Sequence, residues 1–179
     1  ARGVHAQHRA VQRVELRATV QHVRAGTVPP DHIPFGFESL PVRGALIHLS
    51  RSWRRMLRDH DYDALVTETL GHAAAATGLI AQSLKFDGAV TLQILGGSAL
   101  QMLVMQVTSD LDVRGMAAVG EGAAPQDFAG LTRDSQCAVT VDSGGRPYQG
   151  IVEITGASLA ASLEHYFDRS MQVPSHIAL

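Results

Sequence analysis

Asp87 and Glu164 are the carboxylates of this sequence whose neighbours could support proton transfer. They stand in Lys85-Phe86-Asp87-Gly88 and Glu164-His165-Tyr166-Phe167-Asp168-Arg169, where polar groups lie densest beside aromatic rings. As a general base, either would suit a small hydrolase or transferase. Such chemistry also needs an acid and anion-binding donors converging on one point, and no such set accompanies these two carboxylates. A structural role fits better. Lys85 gains a carboxylate partner, Gly88 makes a tight turn, and Tyr166 and Phe167 take core positions on a final helix.

The other reactive side chains are also better explained by folding than by chemistry. His5 and His8 have a spacing that could meet on a helix, but no carboxylate stands near them to complete a metal site. His60 lies among Asp59, Asp61 and Asp63, which would raise its basicity. An aspartate directly ahead of an amphipathic stretch is first of all a helix cap, and Asp63 holds that position. Ser98 follows two glycines without the Gly-x-Ser-x-Gly elbow of a nucleophilic serine. Gly96-Gly97 and Gly120-x-Gly122 end strands and do not lead into the helix that a phosphate cradle requires. Cys137 opens the apolar run Cys-Ala-Val-Thr-Val, where a thiol behaves as a small hydrophobe. It is the sole cysteine, which excludes an internal disulfide and a multi-thiolate zinc site. No catalytic residue and no metal ligand is assigned.

A chain of 179 residues fits one domain with a substantial core, and an apolar fraction of 45% is that of a globular protein. No run approaches the roughly 20 apolar residues of a bilayer span, so no membrane partner is expected. A net charge of -2 and an aromatic fraction of 5% give neither the electrostatic pull nor the stacking platform of a nucleic-acid binder. The lone cysteine suits a reducing, cytoplasmic location.

Several elements can be read from patterning. Residues 1–34 form a divergent or flexible arm. Within residues 1–30 five arginines face the single acid Glu15, and the near absence of hydroxyl residues argues against a transit peptide. Pro29-Pro30 breaks the chain, and folded sequence begins near Phe35. Arg43 to Leu49 reads as a strand, and Ser50 or Ser52 as the cap of a helix through Trp53 and Met56 to His60. From Ala64 to Ser83, Leu65, Leu70, Ala73, Ala74, Thr77, Ile80 and Ala81 recur at helical spacing. This small-residue stripe lets a neighbouring layer come close. Strands follow at Ala89–Leu95, Leu100–Val107 and Val113–Val119. A hairpin pairs Cys137–Val141 with Tyr148–Ile154 across Asp142-Ser143-Gly144-Gly145, and a helix capped by Ser158 runs from Leu159 to Ser170. Alternation along the second strand places Leu100, Met102 and Val104 on one face and Leu103 and Met105 on the other. Strands and helices in blocks, without alternation, predict an α+β fold.

Five phrases also stand in a particular order. Pro41-Val42-Arg43-Gly44-Ala45-Leu46-Ile47-His48-Leu49 comes first, then His60-Asp61-Tyr62 and Leu84-Lys85-Phe86-Asp87-Gly88. Tyr148-Gln149-Gly150 and Leu163-Glu164-His165-Tyr166-Phe167-Asp168-Arg169-Ser170 follow. In content and spacing the chain resembles the N-terminal core of the redox-regulated holdase chaperones, the thirty-three-kilodalton heat shock protein family, over roughly Phe35 to Leu179. Arg43, Gly44, Lys85, Phe86, Asp87, Gly88, Tyr148, Gln149, Gly150, Tyr166 and Phe167 are the signature positions of that fold.

The resemblance implies a layered β/β/α domain at residues 35–179, with a mixed sheet buried under helices. It implies ATP-independent capture of unfolded or aggregation-prone proteins through exposed apolar surface, a homodimer, and no enzymatic step. Family members carry zinc on a C-terminal Cys-x-Cys and Cys-x-x-Cys switch. That switch domain is expected to be absent from this chain, leaving no cofactor within it. Leu100, Met102, Val104 and Met116 are the expected client-binding residues, since adaptable methionines recur on surfaces that accept many partners. Two alternatives belong to other classes: a small hydrolase or transferase using the Asp87/Glu164 region, and a structural module with one fixed partner.

Overall fold

The computed structural model of the protein describes residues 32–84, 87–122 and 124–179. Expectations placed on the arm up to residue 31, on Lys85 and on Phe86 lie outside the described residues. In chain order the elements are β1 (His32–Phe37), β2 (Leu40–Ile47), α1 (Ser50–Leu57), α2 (Ala64–Ser83), β3 (Ala89–Leu95), β4 (Leu100–Thr108) and β5 (Val113–Val119). Then come α3 (Phe128–Leu131), β6 (Gln136–Asp142), β7 (Tyr148–Val152) and α4 (Leu159–Arg169). The chain is α+β, as its blocks of strands and helices predict. Among the described residues no helix is long and apolar enough to cross a membrane.

Helix α2 begins where the Asp63 carboxylate accepts a hydrogen bond from the Val66 amide at 2.8 Å. This is the capping role expected of Asp63. Ala73, Ala74, Ala76 and Ala81 are all buried along it. Its buried threonines need no outside partner, because Thr69 and Thr77 donate to the carbonyls of Leu65 and Ala73 one turn back, at 2.8 and 2.6 Å. With side chains this small, layers approach from two sides. The large sheet packs on one, and Ile47 of β2 and Trp53 of α1 lie over Gly78 and Gly71 on the other. Helix α1 starts at Ser50, so its capping position falls on Leu49 and not on Ser50 or Ser52 as expected.

The large sheet has the order β5-β4-β3-β6-β7. Every pairing in it is antiparallel, which corrects the expectation of a mixed sheet. The reason lies in the connections. β3-β4-β5 is a meander of short turns, and β6-β7 is a hairpin in which Gly144 takes a φ of 80°. β5 runs in the direction of β3 and β6 against it, so the connection through α3 stays at one end of the sheet. A parallel neighbour would need a crossover to the opposite end.

Register assigns the faces. Val90, Leu92 and Ile94 of β3 stand opposite Val107, Met105 and Leu103 of β4, and Leu92 and Ile94 stand opposite Val139 and Cys137 of β6. All of these are buried, beneath α2 over β3, β4 and β5 and beneath α4 over β7. The Ser158 hydroxyl caps α4 by accepting the Ala161 amide at 3.1 Å. The helix then comes so close to the sheet that Tyr166 lies directly on Gly150, leaving no room for a Cβ.

That contact gives a stability test. Gly150→Ala is expected to cost about 1–3 kcal/mol through overpacking, seen as a lower urea midpoint at unchanged slope. Combined with Tyr166→Phe, which removes the oxygen in the way, the losses should be less than additive. Strict additivity would show that the hydroxyl does not occupy that space.

Candidate functional site

The second face of the large sheet is built by the residues between the buried ones. Across the strands, Ala118, Met102, Leu95 and the exposed Gln136 form one row, and Met116, Val104, Gln93, Ala138 and Ile151 form the next, both mainly apolar. The following row turns polar: Arg114, Gln106, Thr91, Thr140 and Gln149. Its side chains bond along the row. Gln106 Nε2 donates to Thr91 Oγ1 at 2.9 Å, Arg114 Nε to Gln106 Oε1 at 2.7 Å, and Gln149 Nε2 to Thr140 Oγ1 at 3.2 Å. The face is thus divided into an apolar half and a hydrogen-bonded polar half. Among the described residues no helix or hairpin packs across it, because α2 and α4 both occupy the other face. Leu95, Met116 and Ile151 are 40%, 42% and 67% exposed.

Three of the four expected client-binding residues, Met102, Val104 and Met116, lie together on this apolar half. Leu100 does not; it is fully buried in the core. A bulge explains the correction. Leu100 pairs with Val119 and Met102 with Ala118, so two residues advance on β4 for one on β5. This irregularity reverses the alternation and turns Leu100 inward beside Leu103 and Met105. Leu95 and Ile151 belong to the face and were not singled out. Their positions in alternating strands were visible in the sequence, but not which side the helices would cover.

The described signature residues occupy varied places in the scaffold. Gly44 lies opposite Phe35, whose ring sits over it, while Arg43 is exposed opposite Gly36. Asp87 is exposed, and the Gly88 carbonyl accepts the Ser109 amide at 3.0 Å. Tyr148 and Tyr166 bring their hydroxyls within 3.2 Å, Gln149 joins the polar row, and half-buried Phe167 packs beside Tyr166 at 5.7 Å between ring centres. Glu164 is engaged structurally, since its Oε1 accepts the Ile177 amide at 2.6 Å and pairs with His176 Nδ1 at 2.8 Å. His60 stacks on Tyr62, whose hydroxyl accepts the Ala117 amide on the outer edge of β5 at 3.1 Å.

Burial pushes the Cys137 thiol up to about 12, the reverse of what a nucleophile or a metal thiolate needs. Burial, helped by the hydrogen bond shared with Tyr148 and by the charge of Tyr148, also pushes Tyr166 up to about 12. The described residues do not fit a zinc site: no group of three His, Cys, Asp or Glu side chains is placed to hold a metal ion. An open cleft of about 630 Å³ runs between β6, β7 and α4, past Cys137 and His165.

These faces define the class: an α+β domain with one side of its main sheet closed by helices and the other presented outward. The chain belongs to the Hsp33 protein family, whose pattern matches residues 31–179. It is 37% identical over 153 residues to the 33 kDa chaperonin of Methylobacillus flagellatus, spanning 83% of this chain and 52% of that protein. It is 41% identical over 147 residues to the 33 kDa chaperonin of Nitrosococcus oceani, spanning 81% of this chain and 50% of that protein. The crystal structure of the 33 kDa chaperonin from Thermotoga maritima superposes with a TM-score of 0.70 at 26% identity, over 80% of this chain and 52% of that one. The chain therefore spans about half the length of the curated relatives it matches.

The raised thiol has a pH consequence. An unfolded chain releases the Cys137 proton near the ordinary 9.0, whereas the native chain keeps it to about 12. Stability present below pH 9 is therefore expected to fall as pH rises from 9 towards 12. Urea unfolding followed between pH 8 and 11 should show a shallower decline for Cys137→Ala than for the unaltered protein. Identical slopes would place the alkaline loss elsewhere.

Proposed function

We propose that this chain carries the client-binding surface of an ATP-independent holdase, which captures unfolding proteins on the open face of its main sheet. The observation that supports this most directly is the apolar half of that face, with Leu95, Met116 and Ile151 exposed beside half-buried Met102 and Val104. A continuous apolar patch on a sheet is a surface for binding or a liability for aggregation. Membership of the Hsp33 family and relatives named as chaperonins favour binding.

The chemistry suits clients of no fixed sequence. Methionine is flexible and polarizable and adapts to varied side chains. The adjoining Gln93 and Gln136 amides can satisfy backbone groups that an unfolded segment brings with it. Burying one such apolar side chain contributes on the order of 1–2 kcal/mol, so each anchor is worth about ten-fold in affinity. No nucleotide, cofactor or catalytic residue enters this mechanism. The same surface would join two copies in a cytoplasmic homodimer when no client is present.

Light scattering of a heat-denatured client enzyme tests the proposal. The protein should suppress aggregation, and Met116→Glu combined with Ile151→Glu should lose most of that protection. Val173→Glu, an equally exposed apolar position away from the face, should keep it. If the double variant protects as well as the unaltered chain, the open face is not the capture surface. Sedimentation of client mixtures adds a second readout, because promiscuous capture gives a broad distribution and a fixed partner gives one defined complex.

A further inference from the structure

We propose that Met171 is a site of oxidative modification, set up by two tyrosine hydroxyls that converge on its thioether. Its sulfur lies 3.8 Å from Tyr148 Oη and 3.8 Å from Tyr166 Oη, and the two oxygens are 3.2 Å apart. One hydroxyl proton serves the bond between the tyrosines. The other is left with a thioether, a weak acceptor. A sulfoxide oxygen on the same sulfur is a far stronger acceptor, so the constellation suits the oxidised side chain better than the reduced one. Met171 is 43% exposed and Tyr148 54%, which gives a small oxidant direct access.

The co-reactant is a peroxide. The sulfur lone pair attacks the nearer peroxide oxygen, the S–O bond forms and the O–O bond breaks. The departing oxygen leaves as hydroxide and becomes water with the proton shed by the new S–OH group, relayed through a tyrosine hydroxyl. Sulfur loses the two electrons that the peroxide gains, and the products are methionine sulfoxide and water. Negative charge grows on the departing oxygen in the transition state, and the hydroxyl not committed to the tyrosine pair can turn from the sulfur to donate to it.

Position gives the modification a consequence. Met171 lies where α4 passes into residues 171–179, and its amide reaches the Tyr166 carbonyl at 3.4 Å. Beyond it, the Val173 amide bonds to the Phe167 carbonyl at 2.9 Å, and Glu164 holds Ile177 and His176. A sulfoxide shared by Tyr148 on β7 and Tyr166 on α4 ties the end of the helix to the edge of the sheet. Oxidation here reinforces the junction, where most methionine oxidation disrupts packing.

Met116 is an internal control, being 42% exposed against 43% for Met171. In a brief hydrogen peroxide time course followed by peptide mass spectrometry, Met171 should gain oxygen several-fold faster than Met116. Tyr148→Phe, which keeps the ring, should bring Met171 down to the Met116 rate. The oxidised unaltered protein should melt no lower than the reduced one, while oxidised Tyr148→Phe melts lower than its reduced form. Oxidation of Met171 at or below the Met116 rate, or a Tyr148→Phe variant indistinguishable from the unaltered protein, would overturn the proposal.

Discussion

The two-sided burial of α2 is the constraint on which the rest of the structure depends. Five strands about 4.8 Å apart make a sheet roughly 19 Å wide, and helices about 10 Å across cover one such face with two members. α2 and α4 are those two. α1 is committed to the far side of α2, where Trp53 meets Gly71, and to the β5 edge. No fourth helix of comparable length remains among the described residues, since α3 has only four. One face of the sheet is closed because α2 is narrow enough to be shared between layers, and the other is open among the described residues because their helices are all engaged elsewhere.

What the fold leaves open differs from what it guards. A free strand edge offers backbone groups to any other strand, a hazard that proteins blunt. Here Tyr62 takes the outward Ala117 amide, and His60 stacks behind it. The open face presents side chains, not backbone, with an apolar half beside a row of bonded amides and hydroxyls. Under the proposed capture role, such a surface would take up varied apolar segments without templating a sheet at β5. This agrees with membership of a family whose relatives are named as chaperonins.

Much of the fold was legible because local patterns and tertiary packing agree. The α2 stripe with its Asp63 cap, the limits of β3 and β5, the β6–β7 hairpin over Gly144 and the Ser158 cap of α4 all appear where spacing placed them. β1 was missed because Pro34 and Gly36 interrupt a strand pattern. They are tolerated because both strands of a two-stranded sheet are edges. α3 is too short to show periodicity. Of the candidate surface, Met102, Val104 and Met116 do share one sheet face, while Leu100 is turned to the other by a bulge that leaves no mark in the alternation of apolar residues.

The sequence by itself determined the element types, the small-residue helix, the absence of a multi-thiolate site and the likeness to one family, because these follow from residue identity and short-range spacing. Only the tertiary structure decided which face of the sheet is closed, that its strands are all antiparallel, that Leu100 turns inward, and that Met171 meets two tyrosines. Each of these depends on register or on contacts between residues far apart in the chain. A one-residue shift or the placement of a single helix exchanges inside for outside without changing a letter of the sequence.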